Sequence, residues 1–114
     1  MSGKILVIDD EPLILTAVER ALSKVGYIVS KASNMKELDS ALSNAPFDLL
    51  ITDLNMEEAS FEDIIKMARS TSPSIKILKM SGSLNESRSD YFIQKPFRID
   101  ELRGKVRDIL NEPS

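Results

Sequence analysis

Four of the apolar runs in this sequence end in side chains that could do chemistry. The endings are Asp9-Asp10-Glu11, Thr52-Asp53, Ser81-Gly82 and Gln94-Lys95-Pro96. Carboxylates bind hard divalent cations, and a lysine ammonium beside a hydroxyl can hold phosphate oxygens. The endings therefore indicate a site for a cation and a phosphoryl group, provided that the fold brings them together.

The composition restricts this chemistry to oxygen ligands and amines. The 114 residues include no histidine and no cysteine. A disulfide, a thiol nucleophile, a thiolate metal site and an imidazole base or phosphoryl carrier are therefore excluded. The sequence also lacks the glycine-rich motifs of nucleotide-binding enzymes.

Charge and hydropathy limit the partners and the location. The net charge of -3 argues against a nucleic-acid surface, because such surfaces concentrate Lys and Arg. No apolar run approaches the roughly 20 residues that span a bilayer, and the start MSGKILVIDD lacks the pattern of a secretory signal. We expect one cytoplasmic domain over residues 1–114, with no direct binding of nucleic acid or membrane.

The elements that must position these residues alternate along the chain. Short apolar runs predict five strands, and segments of helical periodicity follow Pro12, the capping pair Asn34 and Glu37, and Ser60. A last helix carries Leu102, Val106, Ile109 and Leu110 on one stripe. This alternation predicts an α/β fold, a single-domain flavodoxin-like (βα)5 doubly wound parallel sheet with strand order 2-1-3-4-5. The predicted strands cover residues 5–8, 27–30, 47–52, 75–80 and 91–94.

One connection is irregular. About ten residues separate the fourth strand from the fifth, whereas a right-handed crossover usually needs a dozen or more. Ser83 with Glu86 could begin a helix there, but Asp90 leaves it two turns at most. We therefore predict that the fourth helix is shortened or missing.

The predicted strand order brings three aspartates together. Strands one and three are neighbours, so Asp9 or Asp10 would lie close to Asp53 at one edge of the sheet. Their mutual repulsion is unfavourable without a cation. Mg²⁺ fits best, because it prefers oxygen ligands and is held by one or two carboxylates plus a phosphate.

The other two strand ends complete a phosphate pocket. The Lys95 ammonium can pair with phosphate oxygens, and the Ser81 hydroxyl can hydrogen-bond one of them. Gly82 allows the backbone to approach closely. An aspartate in such a pocket can attack phosphorus and form an acyl phosphate.

These segments together carry a family resemblance. KILVIDDEP, ITDLNM, KMSG and IQKPF occur in this order over nearly the whole chain, which resembles the receiver domain of two-component response regulators. The resemblance implies that Asp53 is the phosphoacceptor. It also implies that Asp9 and Asp10 hold Mg²⁺, directly or through water, and that Asn55 offers its backbone carbonyl to the metal.

The resemblance also implies which residues form the conformational switch that responds to phosphorylation. Ser81 matches the switch hydroxyl, Lys95 the phosphate-pairing lysine and Phe92 the aromatic switch residue. The bond from Lys95 to Pro96 is expected to be cis, as in the family.

The sequence departs from the family in two regions. Met56-Glu57-Glu58-Ala59-Ser60 lacks the usual Pro after the acceptor and the usual Gly at the start of the third helix. The span from Ser81 to Lys95 is also shorter than in the family, which affects the face usually used for output. Lys79 lies inside the fourth strand, and we expect the reduced helix to leave it solvated.

The expected function is a phospho-accepting receiver. Asp53 would take a phosphoryl group from the phosphohistidine of a histidine kinase or histidine phosphotransfer protein, with Mg²⁺, and switch a surface for a downstream protein or an appended effector domain. It would catalyse only its own phosphorylation and autodephosphorylation. The alternative is a phosphorylation-independent receiver-like interaction module; an aspartyl-phosphate hydrolase, suggested by Asp53-Leu54-Asn55, is less favoured.

Overall fold

The protein forms a five-stranded parallel sheet with the order β2-β1-β3-β4-β5. The computed structural model describes residues 3–57, 59–82 and 91–112. The strands are β1 Lys4–Ile8, β2 Ile28–Ala32, β3 Leu49–Asp53, β4 Lys76–Ser81 and β5 Phe92–Gln94. The helices are α1 Pro12–Ser23, α2 Met35–Ala41, α3 Phe61–Thr71 and α4 Ile99–Asn111. The predicted fold class and strand order are confirmed.

Helices cover both faces of the sheet. Ile5 and Val7 of β1 pack in a cluster with residues of α1 and α4, and Leu6 and Ile8 pack on the opposite face with residues of α2 and α3. All four of these β1 side chains are fully buried. A continuous apolar run is the pattern that a strand covered on both faces requires, because successive side chains point to opposite faces.

The helix boundaries follow local signals in the sequence. Pro12 is the first residue of α1, and Gly26, with φ of 100°, follows its end. The Ser60 hydroxyl accepts a hydrogen bond from the Asp63 N–H at the start of α3. At the start of α2 the Asn34 side chain accepts from the Glu37 N–H. These signals place the loops that carry the strand-end residues.

The predicted α2 capping box differs in one bond. The Glu37 carboxylate accepts a hydrogen bond of 2.7 Å from the Ser33 N–H, one residue before the capping Asn34. It also accepts one from the Ser33 hydroxyl. Both bonds favour the charged carboxylate and hold the pKa of Glu37 below its ordinary value.

The region between β4 and β5 is described only at its edges. The predicted fourth helix lies between β4 and β5 and is distinct from α4, which follows β5. Its predicted shortening concerns residues 83–90, which lie outside the described residues. Lys79 in β4 is half-buried, and its Nζ lies 5.7 Å from the centre of the Phe61 ring at the start of α3. The Lys79 side chain is therefore partly exposed and directed along the sheet face toward α3.

The described helices are all too short or too polar to cross a bilayer.

Candidate functional site

The strand register brings four chain segments to one edge of the sheet. Ile8 at the end of β1 pairs with Thr52 of β3, and Asp53 pairs with Met80 of β4. Ser81 pairs with Gln94, the last residue of β5. Because all the strands are parallel, the residues at their carboxyl ends meet at this edge.

Three aspartates converge at this edge. Asp9, Asp10 and Asp53 each offer one carboxylate oxygen, and these oxygens lie within 4.8 Å of one another. Asp9 and Asp53 are buried, whereas Asp10 is exposed. The donor set is entirely oxygen and open to solvent on the Asp10 side, which suits a hard cation that keeps several waters, as Mg²⁺ does.

Lys95 supplies the positive charge of the site. Its Nζ lies 2.7 Å from Asp9 Oδ2, 3.1 Å from Glu11 Oε1 and 3.5 Å from Asp53 Oδ1. The Lys95 side chain is 13% exposed. The Lys95–Pro96 bond is cis, as expected from the family resemblance.

The buried charges shift two pKa values. Burial raises the pKa of Asp9, and the negative charge of Asp53 adds to this rise, although hydrogen bonds from Lys95 and from the Glu11 N–H oppose it. Burial alone would lower the pKa of Lys95. The hydrogen bond and charge of Asp9, with smaller contributions from Glu11 and Asp53, outweigh burial and raise that pKa. Lys95 is therefore held in its charged form. A further cation beside Asp9 and Asp53 would favour the ionised form of Asp9.

Asn55 joins the loop after β3 to the end of β4. Its backbone N–H donates to Asp53 Oδ1 over 3.3 Å, and its side-chain amide donates to the Ser81 hydroxyl, also over 3.3 Å. Ser81 is buried, with 2% of its surface exposed. The Asn55 side chain thus contacts the hydroxyl of the last residue of β4.

Two further predicted site residues, Gly82 and Phe92, lie at the end of β4 and the start of β5. Gly82 follows Ser81, and a Cβ added to it would meet no described atom within 4 Å. Phe92 begins β5, is 4% exposed and pairs with Lys79, two residues before Ser81. The predicted roles of Gly82 in phosphate binding and of Phe92 as a switch stay predictions.

Two contacts were not predicted from the sequence. The Glu11 carboxylate pairs with Lys95, and the Asn55 side chain bonds to Ser81, whereas only the Asn55 backbone was predicted to act. The position of Glu11 as the third acidic residue of the run Asp9-Asp10-Glu11 was the sequence feature that could have indicated its contact with Lys95. No local signal indicated the Asn55 contact.

The sequence of this chain matches a known protein family. Residues 5–107 match the family described as response regulator receiver domain. The DNA-binding transcriptional regulator NtrC of Rhizobium meliloti is 31% identical over 117 residues, which cover 96% of this chain and 24% of NtrC. The response regulator MprA of Mycobacterium bovis is 31% identical over 119 residues, which cover 96% of this chain and 51% of MprA. The chain therefore spans a quarter to a half of the length of these curated relatives.

Solved structures agree with the fold. A response regulator from Thermotoga maritima superposes with a TM-score of 0.82 at 27% identity, over 98% of this chain and 100% of that one. The receiver domain of the hybrid histidine kinase CckA superposes with a TM-score of 0.81 at 29% identity, over 96% of this chain and 100% of that one.

Proposed function

Because the chain belongs to the response regulator receiver domain family, we propose that it is a phospho-accepting receiver in which Asp53 takes a phosphoryl group from a partner phosphohistidine. The observation that carries this proposal is the meeting of Asp53 with two further aspartates and the Lys95 ammonium at the carboxyl edge of the sheet. A nucleophilic carboxylate, oxygen ligands for a metal and a cation for the phosphoryl oxygens are the groups that such a transfer needs.

In the proposed reaction a carboxylate oxygen of Asp53 attacks phosphorus. The bond from phosphorus to the donor imidazole nitrogen breaks, a bond from phosphorus to Asp53 forms, and the imidazole leaves with the electron pair and takes up a proton. Asp9, Asp10, Asp53 and the backbone carbonyl of Asn55 would hold Mg²⁺. When bound, Mg²⁺ neutralises charge on the phosphoryl oxygens.

The remaining residues of the site hold the product. The Lys95 ammonium pairs with one phosphoryl oxygen, and the Ser81 hydroxyl and the Gly82 backbone receive another. Movement of Ser81 toward the phosphoryl group then biases a two-state surface that includes Phe92. This scheme describes a switch, and the protein would catalyse only its own phosphorylation and autodephosphorylation.

The partners in this proposal are proteins. The chain has no histidine, so the phosphohistidine must belong to a histidine kinase or a histidine phosphotransfer protein. The output would reach a downstream protein or an appended effector domain. We place the protein in the cytoplasm, as one receiver domain over residues 1–114, without direct contact with nucleic acid or membrane.

Phosphorylation by a small-molecule donor tests the proposal directly. With Mg²⁺ and acetyl phosphate, the wild type should gain the mass of one phosphoryl group, and with beryllofluoride it should show amide chemical-shift changes around Asp53. The Asp53→Asn variant should show neither response. Asp39→Asn, which removes an exposed carboxylate on α2, is the matched control and should behave as the wild type.

The phosphorylation-independent interaction module is the second candidate. It is favoured by the brief link between β4 and β5 and by the acceptor loop that lacks the family's usual Pro and Gly. A wild type that folds but gives no Asp53-dependent adduct or shift would overturn the receiver function and favour this candidate. Steady release of phosphate over many turnovers would instead indicate a hydrolase.

A further inference from the structure

Three carboxylates surround the Lys95 ammonium in the free protein. An ammonium has three N–H donors, and Lys95 has three carboxylate neighbours: Asp9, Glu11 and Asp53. The ammonium donates hydrogen bonds to Asp9 and Glu11, whereas its contact with Asp53 is an ion pair at 3.5 Å. A phosphoryl oxygen on Asp53 therefore meets an ammonium that two carboxylates already hold, and it competes with them.

The three carboxylates differ in how easily they can be released. Asp9 is fully buried, lies closest to the ammonium at 2.7 Å and is also held by the Glu11 N–H at 2.8 Å. Asp53 is buried and is the proposed acceptor. The Glu11 side chain is 61% exposed, so water can solvate its carboxylate once it leaves Lys95.

On the basis of the proposed function, we propose that Glu11 is a positioning residue. It holds Lys95 in the free protein and competes with the phosphoryl group for the Lys95 ammonium. Arrival of the phosphoryl group displaces the Glu11 carboxylate into solvent, while Asp9 keeps its contact. The phosphoryl group also adds roughly two negative charges close to Glu11. The repulsion between these charges and the Glu11 carboxylate opposes the phosphorylated state.

Neutralising Glu11 tests this competition. Glu11→Gln keeps the size of the side chain and removes its charge. Glu11 precedes α1 without making a side-chain capping hydrogen bond, so the helix start is retained. At saturating Mg²⁺, Glu11→Gln should bind beryllofluoride about 2 to 5 times more tightly than the wild type, the range expected for loss of a solvent-exposed ion pair. The difference should shrink as salt is raised.

The matched control is Glu57→Gln. Glu57 is an exposed carboxylate in the acceptor loop and is not one of the three that Lys95 contacts. This variant should bind beryllofluoride as the wild type does. The NMR signal of the Lys95 side-chain ε-CH₂ group in the free protein should shift in Glu11→Gln and stay in place in Glu57→Gln, a response that a purely structural role of Glu11 would not produce.

The outcomes separate the two proposals. If the wild type binds beryllofluoride at Asp53 but Glu11→Gln binds it no more tightly, or Glu57→Gln gains as much, the competition is overturned and the receiver function stands. If the wild type shows no Asp53-dependent binding, the receiver function fails and the competition fails with it.

Discussion

The side-chain amide of Asn55 donates a hydrogen bond to the hydroxyl of Ser81 over 3.3 Å. It joins the loop that follows the proposed acceptor to the end of the neighbouring strand. In the proposed switch, Ser81 must turn toward the phosphoryl group, so this hydrogen bond stabilises the unphosphorylated arrangement. The contact makes Asn55 a side-chain participant in the site.

A double-mutant cycle measures the coupling between these two residues. Asn55→Ala should lower the free energy of unfolding of the free protein by about 0.5 to 1.5 kcal/mol, the usual net value of one intramolecular hydrogen bond. In a Ser81→Ala background the same change should have a clearly smaller effect. Urea denaturation of the four proteins gives the coupling energy, and additive effects would show that the contact contributes nothing.

The raised pKa of Asp9 predicts a distinctive pH dependence. A carboxyl group with a raised pKa is less favourable when ionised in the folded protein, so its ionisation removes stability as pH rises from the unfolded value, about 3.9, through the folded value. Carbon-13 NMR of the Mg²⁺-free protein should show Asp9 titrating above an exposed aspartate. A midpoint at or below the exposed value would contradict the assignment.

Removal of the Asp53 charge should lower the pKa of Asp9. Asp53 contributes to the raised pKa of Asp9, so Asp53→Asn should lower that pKa and stabilise the Mg²⁺-free protein more at pH 7 than at pH 4. Unfolding free energies at both pH values check this. Asp39→Asn on the surface of α2 should show no such difference, and a gain that is equal at both pH values would point to a cause other than repulsion.

Mg²⁺ should bind at the three aspartates and stabilise the fold. Titration with Mg²⁺ should raise the melting temperature, because the ion binds the assembled carboxylates of the native state. Asp10→Asn removes the exposed ligand and should weaken Mg²⁺ binding on the order of tenfold, about 1.4 kcal/mol. Calorimetric titration measures the affinity, and an unchanged value would exclude Asp10 from the ligand set.

Two glycines should respond in opposite ways to replacement by alanine. Gly104 lies inside α4, and the atom nearest to an added Cβ is a flexible Arg107 side-chain nitrogen at 3.9 Å. Gly104→Ala should therefore stabilise the protein by about 0.5 to 1 kcal/mol. Gly26 has φ of 100°, so Gly26→Ala should destabilise it by about 1 kcal/mol. Urea denaturation distinguishes the two signs.

The sequence by itself determined the fold class, the strand order and the edge of the sheet where the site lies. Continuous apolar runs such as the one ending at Ile8 mark strands buried on both faces, and parallel strands collect their carboxyl ends at one edge. This reasoning was sufficient to bring Asp9, Asp10, Asp53, Ser81 and Lys95 together. Strand boundaries were less accurate: Tyr27 was predicted in the second strand, whereas β2 runs from Ile28 to Ala32 because its pairing with β1 sets its length.

Only the tertiary structure decided which side chains touch within the site. Lys95 reaches Glu11 from 84 positions away, and Asn55 reaches Ser81 from 26 positions away. Such contacts depend on the register between strands and on the path of each loop, to within about an ångström. Local periodicity carries no information at that scale, so the ion pair of Glu11 with Lys95 and the hydrogen bond of Asn55 to Ser81 became visible only in the folded chain.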